Sequence, residues 1–243
     1  MPALYDTIGQ SYAHHRQPDP RIAETIRQAL GPATSVVNVG AGAGSYEPND
    51  RRVIAVEPSA AMIQQRPVGA GLVVQARAEA LPFRDRSFDA AMAILTLHHW
   101  TDLKSGLLEL RRVTRGAVAI VTFDAAFRGN WLTHYFPALT ALDERVMPPL
   151  SALEAALGAL QVSALPVPHD CADGFLYAYW RRPEAYLDPA VRAGMSAFWA
   201  IGDLSEGLAR LGADLESGAW QARHADLLAR EESDLGYRLI IAR

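Results

Sequence analysis

The sequence predicts an α/β fold in which helices cover both faces of a mostly parallel sheet. Short apolar runs, nearly continuous along their length, alternate with segments of helical periodicity. Strands buried on both faces have this composition, and crossover helices connect parallel strands. The chain has 243 residues, half of them hydrophobic, which is enough for one such domain with a sizeable core and a small cap.

The apolar runs give seven predicted strands. They lie near 35–39, 53–57, 72–75, 88–95 and 117–123, followed by a final pair at 161–167 and 237–242. Only about thirteen residues, Pro48 among them, separate Val39 from Val53. Because proline breaks a helix interior, we expect a turn or a loop between the first two strands in place of a full crossover helix.

Two helix starts carry a recognisable capping residue. Ser59 is expected to cap a helix over about 60–66, and Thr101 or Asp102 a helix over about 103–113. Short polar side chains at these positions accept hydrogen bonds from the first helical turn.

Composition and charge exclude several classes of function. A net charge of −4 and a pI near 6.0 give no electrostatic basis for binding nucleic acid. No apolar stretch approaches the roughly 20 residues that span a bilayer, and the N-terminus lacks the apolar core of a signal peptide. The single cysteine, Cys171, cannot form an internal disulfide, and its expected state is a buried, inert thiol. We therefore expect a cytoplasmic protein that binds neither membranes nor nucleic acid.

A glycine-rich turn lies between the first two predicted strands. The β-branched run at 36–39 ends in Gly40-Ala41-Gly42-Ala43-Gly44, and the next run, 53–56, ends at Glu57. Glycine lets the backbone approach a ligand closely, and an acid at the tip of the second strand can accept hydrogen bonds from both hydroxyls of a ribose. The Gly-x-Gly-x-Gly spacing differs from the Gly-x-Gly-x-x-Gly of a pyrophosphate site. These features indicate an adenosyl cofactor without phosphates.

The next segment, LVVQARAEALPFRDRSFDAAMAILTLHHW at 72–100, resembles the class I S-adenosylmethionine-dependent methyltransferases. The resemblance is strongest to the small-molecule and quinone-biosynthesis branch of that family and covers roughly 5–125. It implies a Rossmann-like seven-stranded, mostly parallel sheet with an antiparallel last strand, and a small helical cap. It also implies that the protein is an enzyme with S-adenosylmethionine as its cofactor.

The resemblance assigns a set of cofactor-binding residues. Glu57 would hold the ribose, Ala78-Glu79 would lie beside the adenine, and Arg16 would pair with the methionine carboxylate. The full set is Tyr5, Tyr12, Arg16, Gly40, Ala41, Gly42, Gly44, Glu57, Pro58, Ala78, Glu79 and Leu95. Tyr5 and Tyr12 are expected to be aromatic residues of an N-terminal lid.

Two positions depart from the family pattern. Asn38 stands where the family more often has an acid before the glycine turn, and Arg77 where many members have an aspartate against the adenine amine. Adenine recognition would then depend on the Ala78 backbone and on Glu79.

His98 and His99 follow the fourth predicted strand and are the candidate catalytic residues. Histidine exchanges protons near neutral pH, but methyl transfer from a sulfonium needs mainly alignment and exclusion of water. No fixed catalytic residue is therefore required. Further histidines lie on segments assigned to the lid and caps: His14, His15, His134 and His169. Because no ligand set with a recognised spacing accompanies them, we expect no metal site.

The expected organisation is a single domain in four parts. They are an N-terminal lid at 1–30, a cofactor-binding core at 31–126, cap segments at 127–160 and 168–233, and sheet-completing strands at 161–167 and 236–242. Segments that follow strand five and surround the last strands lie at the carboxyl end of the sheet, where open α/β folds bind ligands. The cap is thus expected to cover a substrate.

The predicted function is methyl transfer from S-adenosylmethionine to an oxygen, nitrogen or carbon nucleophile of a small molecule. An NAD(P)-dependent oxidoreductase and a non-catalytic module that binds S-adenosylmethionine remain as alternatives. Aromatic residues in the caps are typical of an apolar or aromatic ligand site, but equally of a core: Trp131, Tyr135, Phe136, Tyr177, Tyr179 and Trp180. The expected partner is a small-molecule substrate of open identity, and a homodimer is an open alternative to a monomer.

Overall fold

The computed structural model describes residues 16–243. Its strands are β1 (Ser35–Val39), β2 (Arg52–Val56), β3 (Leu72–Val74), β4 (Ala90–Ile94), β5 (Val118–Phe123), β6 (Leu160–Ala164), β7 (Val167–Pro168), β8 (Glu232–Ser233) and β9 (Tyr237–Ala242). Within these residues the main sheet has seven strands in the order β3-β2-β1-β4-β5-β9-β6. β9 runs antiparallel to both neighbours, and the other pairs are parallel. The predicted Rossmann-like sheet with an antiparallel last strand is confirmed.

Helices flank the sheet and fill the segments that follow β5 and β7. In the described part of the chain they are α1 (Pro20–Ala29), α2 (Ala60–Gln64), α3 (Leu103–Val113), α4 (Leu132–Tyr135), α5 (Ala138–Val146), α6 (Leu150–Leu157), α7 (Pro189–Ala193), α8 (Ser196–Ala200), α9 (Ser205–Glu216), α10 (Ala219–Arg223) and α11 (Ala225–Leu228). Short 3-10 helices occupy Leu97–His99 and Pro183–Leu187. None of the helices described is long and apolar enough to cross a membrane.

The predicted helix caps are present. The Ser59 side chain accepts a hydrogen bond from the Met62 backbone at the start of α2, and the Asp102 side chain accepts one from Ser105 at the start of α3. α2 is shorter than expected, ending at Gln64, because Pro67 disfavours helical backbone at the preceding residue.

The two faces of the sheet bury separate cores. One face packs α1 together with the aromatic residues of the segments that follow β5 and β7. The other face packs α3 and α6, with Leu107, Leu110 and Leu153 fully buried. β1 and β5 are buried along their whole length, which explains their continuous apolar composition.

Phe88 and Asp89 lie just before β4, and Asp89 connects that strand to the start of β1. The Asp89 carboxylate accepts hydrogen bonds from the backbone and hydroxyl groups of Thr34 and Ser35, and it pairs with Arg115 at 2.6 Å. The Arg115 guanidinium, followed by these hydroxyl and amide donors, holds the pKa of Asp89 well below its usual range. Phe88 is buried and meets Phe83 edge to face. The role of these two residues is therefore structural.

The connection from β1 to β2 contains no helix, as predicted from Pro48. Hydrogen bonds between side chains stabilise this connection instead. The Asn38 amide donates to Glu47 at 3.0 Å, and the Arg66 guanidinium forms two hydrogen bonds with the same carboxylate at 3.0 and 2.7 Å. Little of the Arg66 and Glu47 side chains is exposed, so the ion pair is shielded from solvent.

The prediction of one strand at 161–167 is wrong in its second half. β6 ends at Ala164, and Val167–Pro168 pairs with β8 in a separate two-stranded sheet. Pro166 has no N–H to donate, so the ladder with β9 cannot continue through it.

Aromatic residues of the two long inserts form much of one core. Trp131, Tyr135 and Phe136 are buried, and Trp131 donates its indole N–H to the Trp180 carbonyl at 2.8 Å. Trp131 also meets Trp220 edge to face. Most of the aromatic residues considered as ligand contacts are thus core residues. The domain boundaries proposed from the sequence remain a prediction.

Candidate active site

The candidate site lies at the carboxyl edge of the sheet, where β1, β2, β4 and β5 end and β9 begins. The register of β5 with β9 sets Phe123 opposite Tyr237 at this edge. Open α/β sheets bind ligands at such an edge. The glycine turn occupies one half of the site, and a cavity beside the ends of β4 and β5 occupies the other.

The glycine turn is bound tightly to the end of β2. The backbone N–H groups of Gly40 and Ala41 both donate to the Val56 carbonyl, at 2.9 and 3.0 Å. Gly40 has a φ of +74°, and a Cβ at this position would come within 2.0 Å of the Thr96 Oγ1. Only glycine meets both constraints. The turn therefore also touches the loop that follows β4.

Glu57 lies buried at the tip of β2 and connects the turn to the next helix. One carboxylate oxygen accepts from the Gly42 backbone N–H at 2.8 Å, and the other from the Ser59 backbone N–H at 2.9 Å. A carboxylate has about four lone-pair positions, so it can accept several hydrogen bonds at once. Glu57 is thus held in a fixed orientation beside the glycines, with exposed Pro58 following it.

The residues expected beside an adenine follow β3, the strand that pairs with β2. Ala78 is buried, and the Glu79 carboxylate accepts hydrogen bonds from the backbones of Thr101 and Asp102 at 2.7 and 3.1 Å. Arg77 is exposed and reaches Thr101 at 3.3 Å. Glu79 thus orders the loop before α3, and its contact with a cofactor stays a prediction.

Arg16 lines the cavity and pairs with a buried acid. Its Nε donates to Asp173 at 2.6 Å, and the Tyr46 hydroxyl donates to the same carboxylate at 2.8 Å. Asp173 is fully buried. The pair joins residues 157 positions apart. The lid residues Tyr5 and Tyr12, and also His14 and His15, lie outside the described residues.

A cavity of about 250 Å³ adjoins the ends of β4 and β5. Four aromatic residues in mutual contact line it: Phe123, Phe175, Tyr177 and Tyr237. α5 contributes Leu142, Asp143 and Val146, and the segment around α8 contributes Met195, Ser196 and Ala197. Leu95, with a φ of +52°, also lines the cavity, as does Arg16. The cavity is mainly apolar and lies beneath the inserts expected to form the cap.

His98 and His99 both line this cavity, with ring centroids 3.9 Å apart. Burial, followed by the charges of His99 and Arg16, holds the pKa of His98 well below its usual range. His99 is exposed by surface area but lines the cavity, and enclosure by the surrounding protein, followed by the charge of Arg16, lowers its pKa to about 4. Both imidazoles are therefore neutral near pH 7.

Asp143 is a site residue that the sequence analysis missed. It lines the cavity from α5, is 4% exposed, and accepts a hydrogen bond from the Tyr177 hydroxyl at 2.9 Å. Burial raises the pKa of Asp143 to about 6, against the opposing effects of Tyr177 and Arg128. The surrounding sequence, ALDERV, looks like the solvated face of a helix and gave no signal of this position.

The other candidate residues lie away from the cavity. His134 is exposed on α4, and His169 lies 3.2 Å from Glu231 near the small sheet. Cys171 is buried, and burial raises the pKa of its thiol to about 12. Among residues 16–243, no group of three or more histidine, cysteine or acidic side chains is arranged to hold a metal ion.

Comparison with known proteins identifies relatives of this fold and site. A family model described as a methyltransferase domain matches residues 37–121, which include the glycine turn, Glu57 and the end of β4. A solved structure described as a candidate methyltransferase from an antibiotic biosynthesis pathway of Anabaena variabilis is 34% identical, with a TM-score of 0.84. That similarity covers 94% of this chain and 99% of the other.

Two curated relatives match over a shorter region. The malonyl-[acyl-carrier protein] O-methyltransferase of Pseudescherichia vulneris is 35% identical over 131 residues, covering 49% of this chain and 52% of that protein. The uncharacterised methyltransferase YcgJ of Bacillus subtilis is 30% identical over 122 residues, covering 46% of this chain and 45% of that protein. The matched region thus spans about half the length of each curated relative.

Proposed function

Because this chain belongs to the class I S-adenosylmethionine-dependent methyltransferases, we propose that it methylates a small molecule bound in the cavity. The nucleophile would be an oxygen, nitrogen or carbon atom that attacks the methyl group in line. One observation carries the proposal: the glycine turn and the cavity share the loop after β4. Thr96 packs against Gly40, while Leu95 and His98 line the cavity. A cofactor on the turn and an acceptor in the cavity would therefore be neighbours.

The residues of the turn fit the family's cofactor. S-adenosylmethionine supplies a methyl group on a positively charged sulfur. Glu57, held by Gly42 and Ser59, is the proposed acceptor for the ribose hydroxyls. Leu95, Ala78 and Glu79 are the proposed contacts around the rest of the adenosine. The proposed contribution of Arg16 is to orient the methionine carboxylate, because a guanidinium forms paired hydrogen bonds with a carboxylate.

The neutral state of the two histidines suits a cationic cofactor. Protonated imidazoles in this low-dielectric cavity would repel a sulfonium, and the lowered pKa values of His98 and His99 avoid that repulsion. A base with such a low pKa removes protons weakly. The proposed role of the pair is therefore to accept hydrogen bonds from the acceptor and to exclude water, both of which assist in-line displacement.

The hydrogen bonds of the turn argue against an NAD(P) site. A pyrophosphate needs backbone N–H groups directed at it, usually at the N-terminus of a helix. Here the N–H groups of Gly40 and Ala41 donate to Val56, and that of Gly42 donates to Glu57. No helix lies between the turn and β2 in the described chain. An oxidoreductase therefore has little support.

The size and enclosure of the cavity favour a small-molecule acceptor. A cavity of about 250 Å³ lies just below the volume range of typical ligand pockets, which begins at about 300 Å³. The assignment of the Anabaena relative to an antibiotic biosynthesis pathway agrees with a small metabolite. The acyl-carrier-protein substrate in the name of the Pseudescherichia relative is less applicable, because that match covers only half of either chain.

A transfer assay tests the proposal. The protein is incubated with S-adenosylmethionine labelled in its methyl group and with mixed small molecules grouped as phenols, alcohols, amines, carboxylates and carbon acids. We expect label in one group, accompanied by S-adenosylhomocysteine. Glu57→Ala should abolish the transfer, whereas Glu154→Ala, an exposed glutamate on α6, should retain it. Cofactor binding without label in any group would instead support a non-catalytic module.

A further inference from the structure

The buried carboxylate of Asp143 lacks a cationic partner in the described part of the chain. It is 4% exposed, and its one hydrogen bond there comes from the Tyr177 hydroxyl at 2.9 Å. No ion pair within residues 16–243 includes it. A buried ionised carboxylate is costly unless it is paired. Because Asp143 lines the cavity, a ligand is able to provide the missing partner.

The neighbouring cations are engaged elsewhere. Arg128 lines a second, small pocket together with Asp143, and its guanidinium binds the Glu144 carboxylate and the carbonyls of Ala125 and Phe127. Arg16, which lines the cavity, pairs with the buried Asp173. The two histidines of the cavity are neutral, so the cavity wall offers a negative charge at Asp143.

Aromatic rings line the same cavity as Asp143, and one of them, Tyr177, contacts its carboxylate. Tyr177 meets Phe123 with centroids 5.2 Å apart, and Tyr237 meets Phe123 and Phe175 at 5.5 and 4.6 Å. All four rings line the cavity. The face of an aromatic ring attracts a cation, and the attraction is stronger when water is excluded. A carboxylate set among such rings has the chemistry that recognises an ammonium group.

We propose that the acceptor substrate carries an ammonium group, and that Asp143 binds it within the aromatic walls formed by Phe123, Phe175, Tyr177 and Tyr237. The inference rests on the proposed function, because it names the substrate class of the same cavity. Asp143 acts here as a specificity-determining residue. A carboxylate acceptor would be disfavoured, since two like charges would then meet in a cavity of low dielectric. The raised pKa of Asp143 agrees with a carboxyl group that lacks its counter-charge.

The test compares three probes of similar shape and different charge. Phenethylamine, phenethyl alcohol and phenylacetate are titrated calorimetrically into the wild-type protein, both with and without S-adenosylhomocysteine. We expect the amine to bind about tenfold or more tightly than the alcohol, as is typical of a charge-assisted contact with cation–π support, and phenylacetate to bind most weakly.

Two matched substitutions identify the residue responsible. Asp143→Asn keeps an oxygen that accepts from Tyr177 but removes the charge, so the amine should bind no better than the alcohol. Asp226→Asn makes the same change at an exposed residue of α11 and should keep the preference. If Asp143→Asn fails to fold, the ranking of the three probes on the wild-type protein still tests whether the cavity prefers an ammonium group.

Three results would overturn the inference. They are absence of amine binding, binding of the alcohol or phenylacetate as tight as that of the amine, and an amine preference that persists in Asp143→Asn. The S-adenosylhomocysteine titration is read separately. Failure of S-adenosylhomocysteine to bind refutes the proposed function, and the probe ranking without it still tests the ammonium site. Binding of S-adenosylhomocysteine without amine preference refutes only the substrate class.

Discussion

Gly40 lies directly against Thr96, so that a Cβ on Gly40 would come to 2.0 Å from the Thr96 Oγ1. This contact joins the end of β1 to the loop that follows β4. The first element carries the glycine turn, and the second carries the two histidines and one wall of the cavity. The cofactor half and the acceptor half of the site are thus fixed to each other by direct packing.

Gly40→Ala should be markedly destabilising. The substitution adds a clash with Thr96 to the cost of a left-handed backbone, since φ is +74°. Gly31→Ala is the matched control, because Gly31 has a φ of +61° but a Cβ added there would have no atom within 4 Å. We expect Gly31→Ala to cost about 1–2 kcal/mol and Gly40→Ala at least about 1 kcal/mol more, by urea unfolding. Equal costs would contradict the packing contact.

Arg66→Ala should loosen the loop that replaces the first crossover helix. The substitution leaves Glu47 without its guanidinium partner in a position where both side chains are largely buried. Breaking such a pair costs about 3 kcal/mol in the free energy of unfolding. Arg230→Ala, which breaks the exposed pair with Asp226, should cost less than about 0.5 kcal/mol. Similar unfolding midpoints for the two variants would show that the Arg66–Glu47 ion pair contributes nothing to the free energy of unfolding.

The sequence predicted the sheet well because its strands are buried on both faces and therefore recognisable as apolar runs. The β1–β2 loop followed from the short spacing of about thirteen residues together with Pro48. The strand predicted at 161–167 extends too far, because Pro166 interrupts the ladder with β9 after Ala164. The features that determine these elements, Pro166 included, are all local in the sequence.

Contacts between distant residues could not be predicted in the same way. Asp143 is buried by Tyr177, 34 residues further along the chain, and nothing in its own helix distinguishes it from its solvated neighbours. The pairing of Arg16 with Asp173 spans 157 residues. Such contacts depend on how the inserts pack over the sheet, which neither periodicity nor spacing determines.

Stability should fall as the pH decreases from about 6.5 to about 4, because of His98 and His99. Their pKa values are lowered in the folded protein, so over this pH range the unfolded chain binds more protons than the folded chain does. The stabilisation is present above pH 6.5 and is lost as the pH falls toward the folded pKa. The measurement is urea unfolding at several pH values.

The double variant His98→Gln/His99→Gln provides the control for this pH dependence. Its stability should fall less between the same pH values. Asp143, whose pKa is raised to about 6, has the opposite effect but is present in both proteins, so it cancels in the difference. Parallel curves for the two proteins would show that the histidines are not held in the neutral form.

The measurement that tests the central claim most directly is calorimetric titration of the protein with S-adenosylhomocysteine, with NADH as the comparison ligand. We predict saturable binding of S-adenosylhomocysteine at one site and none of NADH. In Glu57→Ala the dissociation constant should rise about tenfold or more, because a hydrogen bond to a charged group contributes about 1.5–3 kcal/mol. Saturable binding of NADH alone, or unchanged affinity in Glu57→Ala, would contradict the assignment of the glycine turn and Glu57 as the cofactor site.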